Sequence, residues 1–352
     1  FIIHNYSFLI IMKSFLDRNA LWLSMLLGVI GYPLFCHLTP LLPPMIFLML
    51  FFTFCKINPL DLRLRRWHLV VLFVQLALSA GVYYGIVYIC RALQVNPVQA
   101  AVVAQGIMVC FIMPTATAAP VIAGKLGGSI QNLTSFTLLS NFATAIVVPA
   151  FFPVVNAEAG MTFWAASWLI LRRVAPLLLG PFFAAWLLRA GYNAYEHHRG
   201  SDKTFALSPV WSSMPFYLWA GTLIILMADI TRTLTTQHYD YLTVLWLCIG
   251  SLLACLLQFW LGKQIGYRFP AATIGEESHD EEINPDATPH DMPSVSCVTA
   301  GQAFGQKNTT LGVWMAQAYL NPLAAIGPAA YIVWQNIFNS LQLVYTGKKK
   351  HK

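Results

Sequence analysis

The sequence predicts an all-α integral membrane protein: ten transmembrane helices built as two inverted five-helix repeats, with discontinuous fourth and ninth helices that cross. Three observations predict it. Of 352 residues, 57% are apolar and only 10% charged, where an ordinary soluble domain carries roughly 25% charged residues. Apolar runs of about 20 residues, the length that spans a bilayer, recur along the chain. The fourth and ninth of these runs are interrupted by residues that a straight helix in lipid does not accommodate. A mean hydropathy of +0.61 excludes a soluble enzyme, a disordered chain and a disulfide-built secreted domain, because too few polar residues remain to coat a soluble surface.

Residues 1–18 read as an N-terminal extension in which Met12 is the first methionine. The apolar run that follows has no small-x-small cleavage site, so it reads as a first span and not as a removed signal peptide. The spans are expected at 19–37, 40–55, 67–90, 98–122, 129–154, 161–188, 208–229, 241–262, 298–317 and 320–343. Only the Thr39-Pro40 turn separates the first two. The cysteines lie within or at the edge of apolar runs and form no CxxC pair, which leaves no disulfide framework, cofactor or metal to argue for. No HExxH spacing occurs among the histidines, and no Ser/His/Asp set appears in the spans. An enzyme is not expected.

Charge orients the spans. Of the 21 Lys and Arg, only Arg91 and Arg232 fall in loops on one side, while Arg172, Arg173 and Lys307 fall inside spans and the rest share the other side. This bias places both termini in the cytoplasm and the chain in the cell inner (plasma) membrane. The net charge of +7 is concentrated next to the spans, so the bilayer's anionic headgroups are the expected partner and nucleic acid is not. Half of the 14 carboxylates sit in an acidic loop, 264–297, which reads as a solvated insert. A basic tail, 344–352, closes the chain. The adjacent pair Arg172-Arg173 is expected at the interface, with its span starting near Val174, or else lining an entrance where it attracts anions.

Ten spans divide into 19–154 and 161–343, with 344–352 outside both. Five crossings put the second copy upside down, and transporters of this plan bind cargo where broken helices meet. The fourth span carries Pro114-Thr115-Ala116-Thr117-Ala118-Ala119-Pro120, and each proline removes a backbone donor. The ninth carries Gln302, Gln306, Lys307, Asn308, Thr309 and Thr310, polar groups that must face protein or a wet cavity.

Ordered motifs carry a resemblance to the bile acid:sodium symporter superfamily from about residue 19 onward, the acidic insert excepted. The segment Pro114 to Pro120 lines up with that family's Pro-Gly-Gly-Thr-Ala-Ser-Asn. Ala303 to Asn308 resembles its Glu-x-Gly-x-Gln-Asn. Pro328-Ala329 with Trp334-Gln335-Asn336 is similar to its Pro-Gly and Trp-His-Asn, and Asn58-Pro59-Leu60-Asp61-Leu62 to its Lys-Pro-x-Asp-Phe. The resemblance implies a core of helices 3–5 and 8–10 against a panel of helices 1, 2, 6 and 7. It also implies a substrate and ion site at Gln75, Thr117, Ala119, Pro120, Thr137, Gln306, Lys307 and Asn308.

The departures from the family's pattern are informative. Its Ser-Asn becomes Ala119-Pro120, one fifth-span hydroxyl becomes Leu133, the ninth-span carboxylate becomes Ala303 and the glutamine becomes Lys307. Sodium requires oxygen ligands, and most are gone. Coupling to sodium in the family's usual way is therefore not expected. An intramembrane lysine costs roughly 2.5–3.5 kcal/mol on insertion scales, so Lys307 reads as functional: a tethered cation in the space of a missing sodium ion. Burial disfavours the charged form of an amine, so dependence on pH is expected in place of dependence on sodium. The predicted activity is secondary transport of an organic anion, bile acid-like or a small carboxylate. The rivals are a sodium-coupled symporter with other ligands and a non-transporting membrane sensor of the same fold.

Overall fold

A computed structural model describes residues 19–58, 62–156, 161–200, 204–236, 240–269 and 292–350. They are all-helical, with no strands among the described residues. The helices are α1 (Asn19–Ile30), α2 (Tyr32–Phe35), α3 (Leu42–Phe54), α4 (Arg66–Ala92), α5 (Pro97–Ile112), α6 (Ala119–Lys125), α7 (Ile130–Val155), α8 (Phe163–His198), α9 (Pro209–Thr236), α10 (Tyr241–Arg268), α11 (Met292–Gly305), α12 (Thr309–Tyr319) and α13 (Ile326–Lys350). Two 3-10 turns, Cys36–Leu41 and Pro322–Ala325, lead into α3 and α13. Six stretches among the described residues are long and apolar enough to cross a membrane: Tyr32–Phe54 and the whole of α4, α7, α8, α9 and α10.

Local chemistry explains where helices start. Asn96 accepts a hydrogen bond from the Val98 N–H at 2.9 Å and Pro97 occupies the first turn of α5, where a missing donor costs nothing. Ser129, Thr162 and Asp240 cap α7, α8 and α10 through their side-chain oxygens, the role that favours these residues at helix starts. Gly127, at φ +84°, follows the end of α6, a conformation open to glycine and strained for other residues.

Several span ends differ from the sequence reading. The first helical break comes at Gly31, and Thr39 and Pro40 lie inside the 3-10 turn that continues into α3. Pro40 is the fifth residue of that six-residue turn, and the helical path continues through Leu41 into α3, so Thr39-Pro40 does not mark a clean boundary. Helix α8 runs unbroken through Arg172 and Arg173, both exposed, and on to His198. The helix therefore starts before Val174 and runs past residue 188, where the expected span ends. At about 1.5 Å per residue its 36 residues exceed what a bilayer requires. Contacts beyond the apolar run hold this extension: Arg189 donates to the Cys55 carbonyl at 3.0 Å, and the Phe205 N–H donates to Asn193 Oδ1 at 2.9 Å. Helix α13 likewise carries the basic tail as helix to Lys350. The N-terminal extension, Asp61 and most of the acidic loop lie outside the described residues.

Large apolar side chains face outward along the helices, including Phe73 at 74% exposure, Ile30 at 77% and Trp164 at 79%. Water does not tolerate such a surface, and acyl chains do. The fold is compatible with a multi-pass membrane protein. Inside, small residues let backbones meet: Gly262 and Gly266 of α10 lie against Ala300 and Ser296 of α11, and Gly106 of α5 against Gly327 of α13. That is the usual way membrane helices pack closely.

Because Met292 opens α11, the acidic insert can be cut back to residues 274–291. Its removal is expected to leave membrane expression and apparent melting temperature unchanged, since loop length changes stability only weakly. A fluorescence size-exclusion profile that collapses on deletion would show that the insert is structural.

Candidate functional site

The two interrupted helices meet. Helix α5 stops at Ile112 and α6 starts at Ala119; α11 stops at Gly305 and α12 starts at Thr309. Between them Thr115 and Lys307 form a short antiparallel bridge. The Ala116 N–H donates to the Gln306 carbonyl at 2.9 Å, and the Asn308 N–H donates to the Pro114 carbonyl at 2.8 Å. Each break thus satisfies part of the other's backbone, which lipid cannot do.

Side chains from neighbouring helices satisfy the remainder. Pro114 has no N–H for the Cys110 carbonyl one turn earlier, and Gln258 of α10 donates to that carbonyl at 3.1 Å. Gln75 of α4 donates to the Met113 carbonyl at 3.0 Å, and Thr144 of α7 to that of Ile112 at 3.4 Å. Ser140 Oγ accepts from the Thr115 N–H at 3.1 Å, while the Thr115 hydroxyl donates to the Ala303 carbonyl at 2.7 Å. In the second break the Tyr331 hydroxyl donates to the Gly305 carbonyl at 2.7 Å. Gln335 holds Lys307 at two points: its Oε1 accepts from the Lys307 N–H at 2.9 Å, and its Nε2 donates to the Lys307 carbonyl at 3.3 Å.

The backbone of Lys307 is fixed, but its ammonium is not bonded. The residue is 1% exposed and Nζ has no hydrogen-bond partner among the described residues. Nζ lies 5.1 Å from the centroid of the Phe304 ring, a distance at which the ring's negative face attracts a cation. Among the described residues no carboxylate pairs with it. A buried amine whose charged form has no counter-ion among the described residues is an expensive arrangement, and it is the chemical singularity of the site.

The expected site residues divide into two groups. Gln75, Gln306, Lys307 and Asn308 gather at the crossing. Gln306 Oε1 and Asn308 Nδ2 are buried without partners, as is Gln75 Oε1, and Asn308 also caps α12 through the Leu311 N–H at 3.2 Å. Thr137 is buried on α7, but its hydroxyl donates to the Leu133 carbonyl of its own helix at 2.9 Å. Ala119 and Pro120 open α6 and are buried, and Thr117 is half-buried in the break before it. Ala119, Leu133 and Ala303, where the resemblance leads one to look for oxygens, are each 0% exposed and share one apolar cluster with Trp67, Phe136 and Phe304. Their common space is filled by hydrocarbon. Among the described residues no three His, Cys, Asp or Glu side chains converge on a metal site.

Sequence reasoning missed Ser140, Gln258, Tyr331 and Gln335 as parts of the site. A signal existed: each is polar within an apolar run, and such a group in a membrane helix must find a partner. Which partner is not written in the run itself.

Composition, outward-facing apolar surface and paired helix breaks define the class: an all-helical protein compatible with multi-pass insertion, with a polar crossing in its interior. No family model matches the chain, and no curated protein matches it.

Proposed function

We propose that the chain is a divergent member of the bile acid:sodium symporter superfamily, a secondary transporter of a small or amphipathic organic anion in which Lys307 replaces a coupling sodium ion. The observation that carries this reading is the buried, unpaired Lys307 ammonium at the meeting of two broken helices. Interrupted helices with freed backbone are where transporters of inverted-repeat plan bind cargo and ions. The hydrocarbon filling at Ala119, Leu133 and Ala303 supports the loss of the usual sodium sites, since a hard cation requires a shell of oxygens.

A parallel between the two breaks supports the inverted repeat. Thr115 is held by Ser140, 25 residues later, and Lys307 by Gln335, 28 residues later. Helix α4 packs on α5 as α10 packs on α11. In this reading substrate enters between the six-helix core and the four-helix panel, and movement of one against the other alternates access. The protein sits in the inner membrane with both termini cytoplasmic, and it is not an enzyme.

The test is uptake and binding of an anion found by thermal-shift screening, across pH and with sodium exchanged for choline. Wild-type binding is expected to be insensitive to sodium and to weaken as pH rises, because deprotonation removes the ammonium. Lys307→Gln is expected to flatten the pH profile, to weaken binding at low pH about tenfold or more through loss of a charge-assisted contact, and to remain sodium-independent. Activity rising steeply with sodium would restore the ordinary symporter. Tight binding without flux would make the protein a sensor.

A further inference from the structure

The crossing leaves one anomaly of the sequence unexplained, the pair Arg172-Arg173. The two are the tenth and eleventh residues of α8, and both are exposed. Exposed apolar side chains stand on either side of them along the helix, Trp164 and Trp168 before and Phe183 and Trp186 after. The pair therefore lies within the apolar stretch and not at its end. Charged groups in such a stretch are expensive, and they face a cavity or meet a counter-charge. Among the described residues no carboxylate pairs with either arginine. At that end of the helices the only other Lys or Arg side chains are Arg91 and Arg232, so two positive charges stand where the chain otherwise excludes them.

The buried residues Ile170, Val174, Leu177, Leu178 and Pro181 define the inner face of α8 at 3.6 residues per turn. Arg172 stands nearly opposite that face, on the strip that also carries Trp168, Phe183 and Trp186. Arg173 stands on its flank, and the Tyr319 hydroxyl lies beside the Arg173 guanidinium. Tyr319 is buried and ends α12, the half-helix whose first turn Asn308 caps. The two arginines thus lead from the apolar outer surface of α8 to the edge where α8 meets α12.

A guanidinium offers a planar fork of donors, no acceptor and a permanent charge, so its complement is an oxyanion. The strip around Arg172 is apolar, so a complement lying along it also carries an apolar tail. A small inorganic anion meets the first demand and not the second. We propose that Arg172 and Arg173 form an anion site separate from the crossing, which takes the oxyanion head of an amphiphile whose tail lies along α8. The head is a carboxylate, sulfonate or phosphate, and the amphiphile is either cargo or a phospholipid of the bilayer. Its description as cargo rests on the transport reading; the anion site itself rests on the arginines and their surroundings.

The test is photo-crosslinking of the full chain in phosphatidylcholine nanodiscs, with a diazirine-bearing dodecyl sulfonate and with its uncharged alcohol analogue. Peptide mass spectrometry reads the labelled segment. The sulfonate is expected to label α8 around Arg172, and the alcohol to label it about tenfold less. The double variant Arg172→Gln, Arg173→Gln is expected to bring the sulfonate down to the level of the alcohol, while Arg172→Lys, Arg173→Lys keeps most of the labelling. Arg232→Gln, at an exposed arginine near the same end of the helices, is expected to leave it unaltered. Labelling is expected to hold as pH rises, because arginine stays charged, whereas binding at Lys307 weakens; the two readings therefore fail separately. Competition by phosphatidylglycerol in the nanodisc identifies a lipid headgroup as the occupant, and persistence of labelling against it identifies an amphiphilic cargo. Equal labelling by sulfonate and alcohol, or equal losses in the double glutamine variant and Arg232→Gln, would overturn the proposal.

Discussion

Gln335→Leu is expected to undo the crossing of the two broken helices. The glutamine amide accepts from the Lys307 N–H and donates to the Lys307 carbonyl, and leucine of similar volume does neither. The buried Lys307 N–H then loses its partner in a setting without water, at about 1–3 kcal/mol for a group left unsatisfied, while the carbonyl keeps only the Thr309 N–H at 2.9 Å. The break carrying Lys307 loses its register, and the ammonium no longer holds its place over Phe304. A drop of several degrees in melting temperature and loss of anion binding are expected together. Gln335→Glu, which keeps the acceptor for the Lys307 N–H and places a carboxylate beside the lysine, separates the effects: the fold is expected to survive and anion binding to be lost. Full binding in Gln335→Leu would show that the crossing holds without this clamp.

Gly262→Val is expected to have the largest effect on stability. A Cβ at this position would run into the Ala300 carbonyl and come within 2.8 Å of Gly301 Cα. These are backbone atoms, so no rotamer change relieves the contact, and α10 must separate from α11. Overpacking typically costs about 1–3 kcal/mol and occasionally more, and here it acts against backbone on the helix pair that presents Gln258 and Lys307 to the crossing. Loss of monodisperse protein in detergent is the expected readout. Gly85→Ala is the control: a Cβ there meets nothing within 4 Å, and replacing a mid-helix glycine is expected to stabilise by about 0.5–1 kcal/mol. If both variants behave alike, the tight α10–α11 approach is not what holds the core.

The helical class was legible in composition, and both interruptions were legible in place. Pro114 and Pro120 mark the first, and the sequence Gln306-Lys307-Asn308 the second, because a missing donor or a polar cluster inside an apolar run acts on its own turn of helix. Span ends were less legible. Hydropathy ends α8 near residue 188, but Asn193 and Arg189 carry it to His198 through contacts with Phe205 and Cys55. A single adjacent pair such as Arg172-Arg173 suggests a boundary, yet a helix in progress absorbs two exposed arginines on one turn.

The deeper division follows from what a local pattern is able to encode. That the chain must be helical, must break twice and must bury one lysine follows from residue types and spacing, since backbone donors and apolar area are accounted for within each segment. Which groups close the breaks is a matter of proximity between segments far apart in the chain: Ser140 for Thr115, Gln258 for Cys110, Tyr331 for Gly305 and Gln335 for Lys307. The convergence of Ala119, Leu133 and Ala303 on one apolar cluster belongs to the same kind. Periodicity specifies which face of a helix is apolar, and it carries no information about which other helix covers that face; only packing in three dimensions decides that.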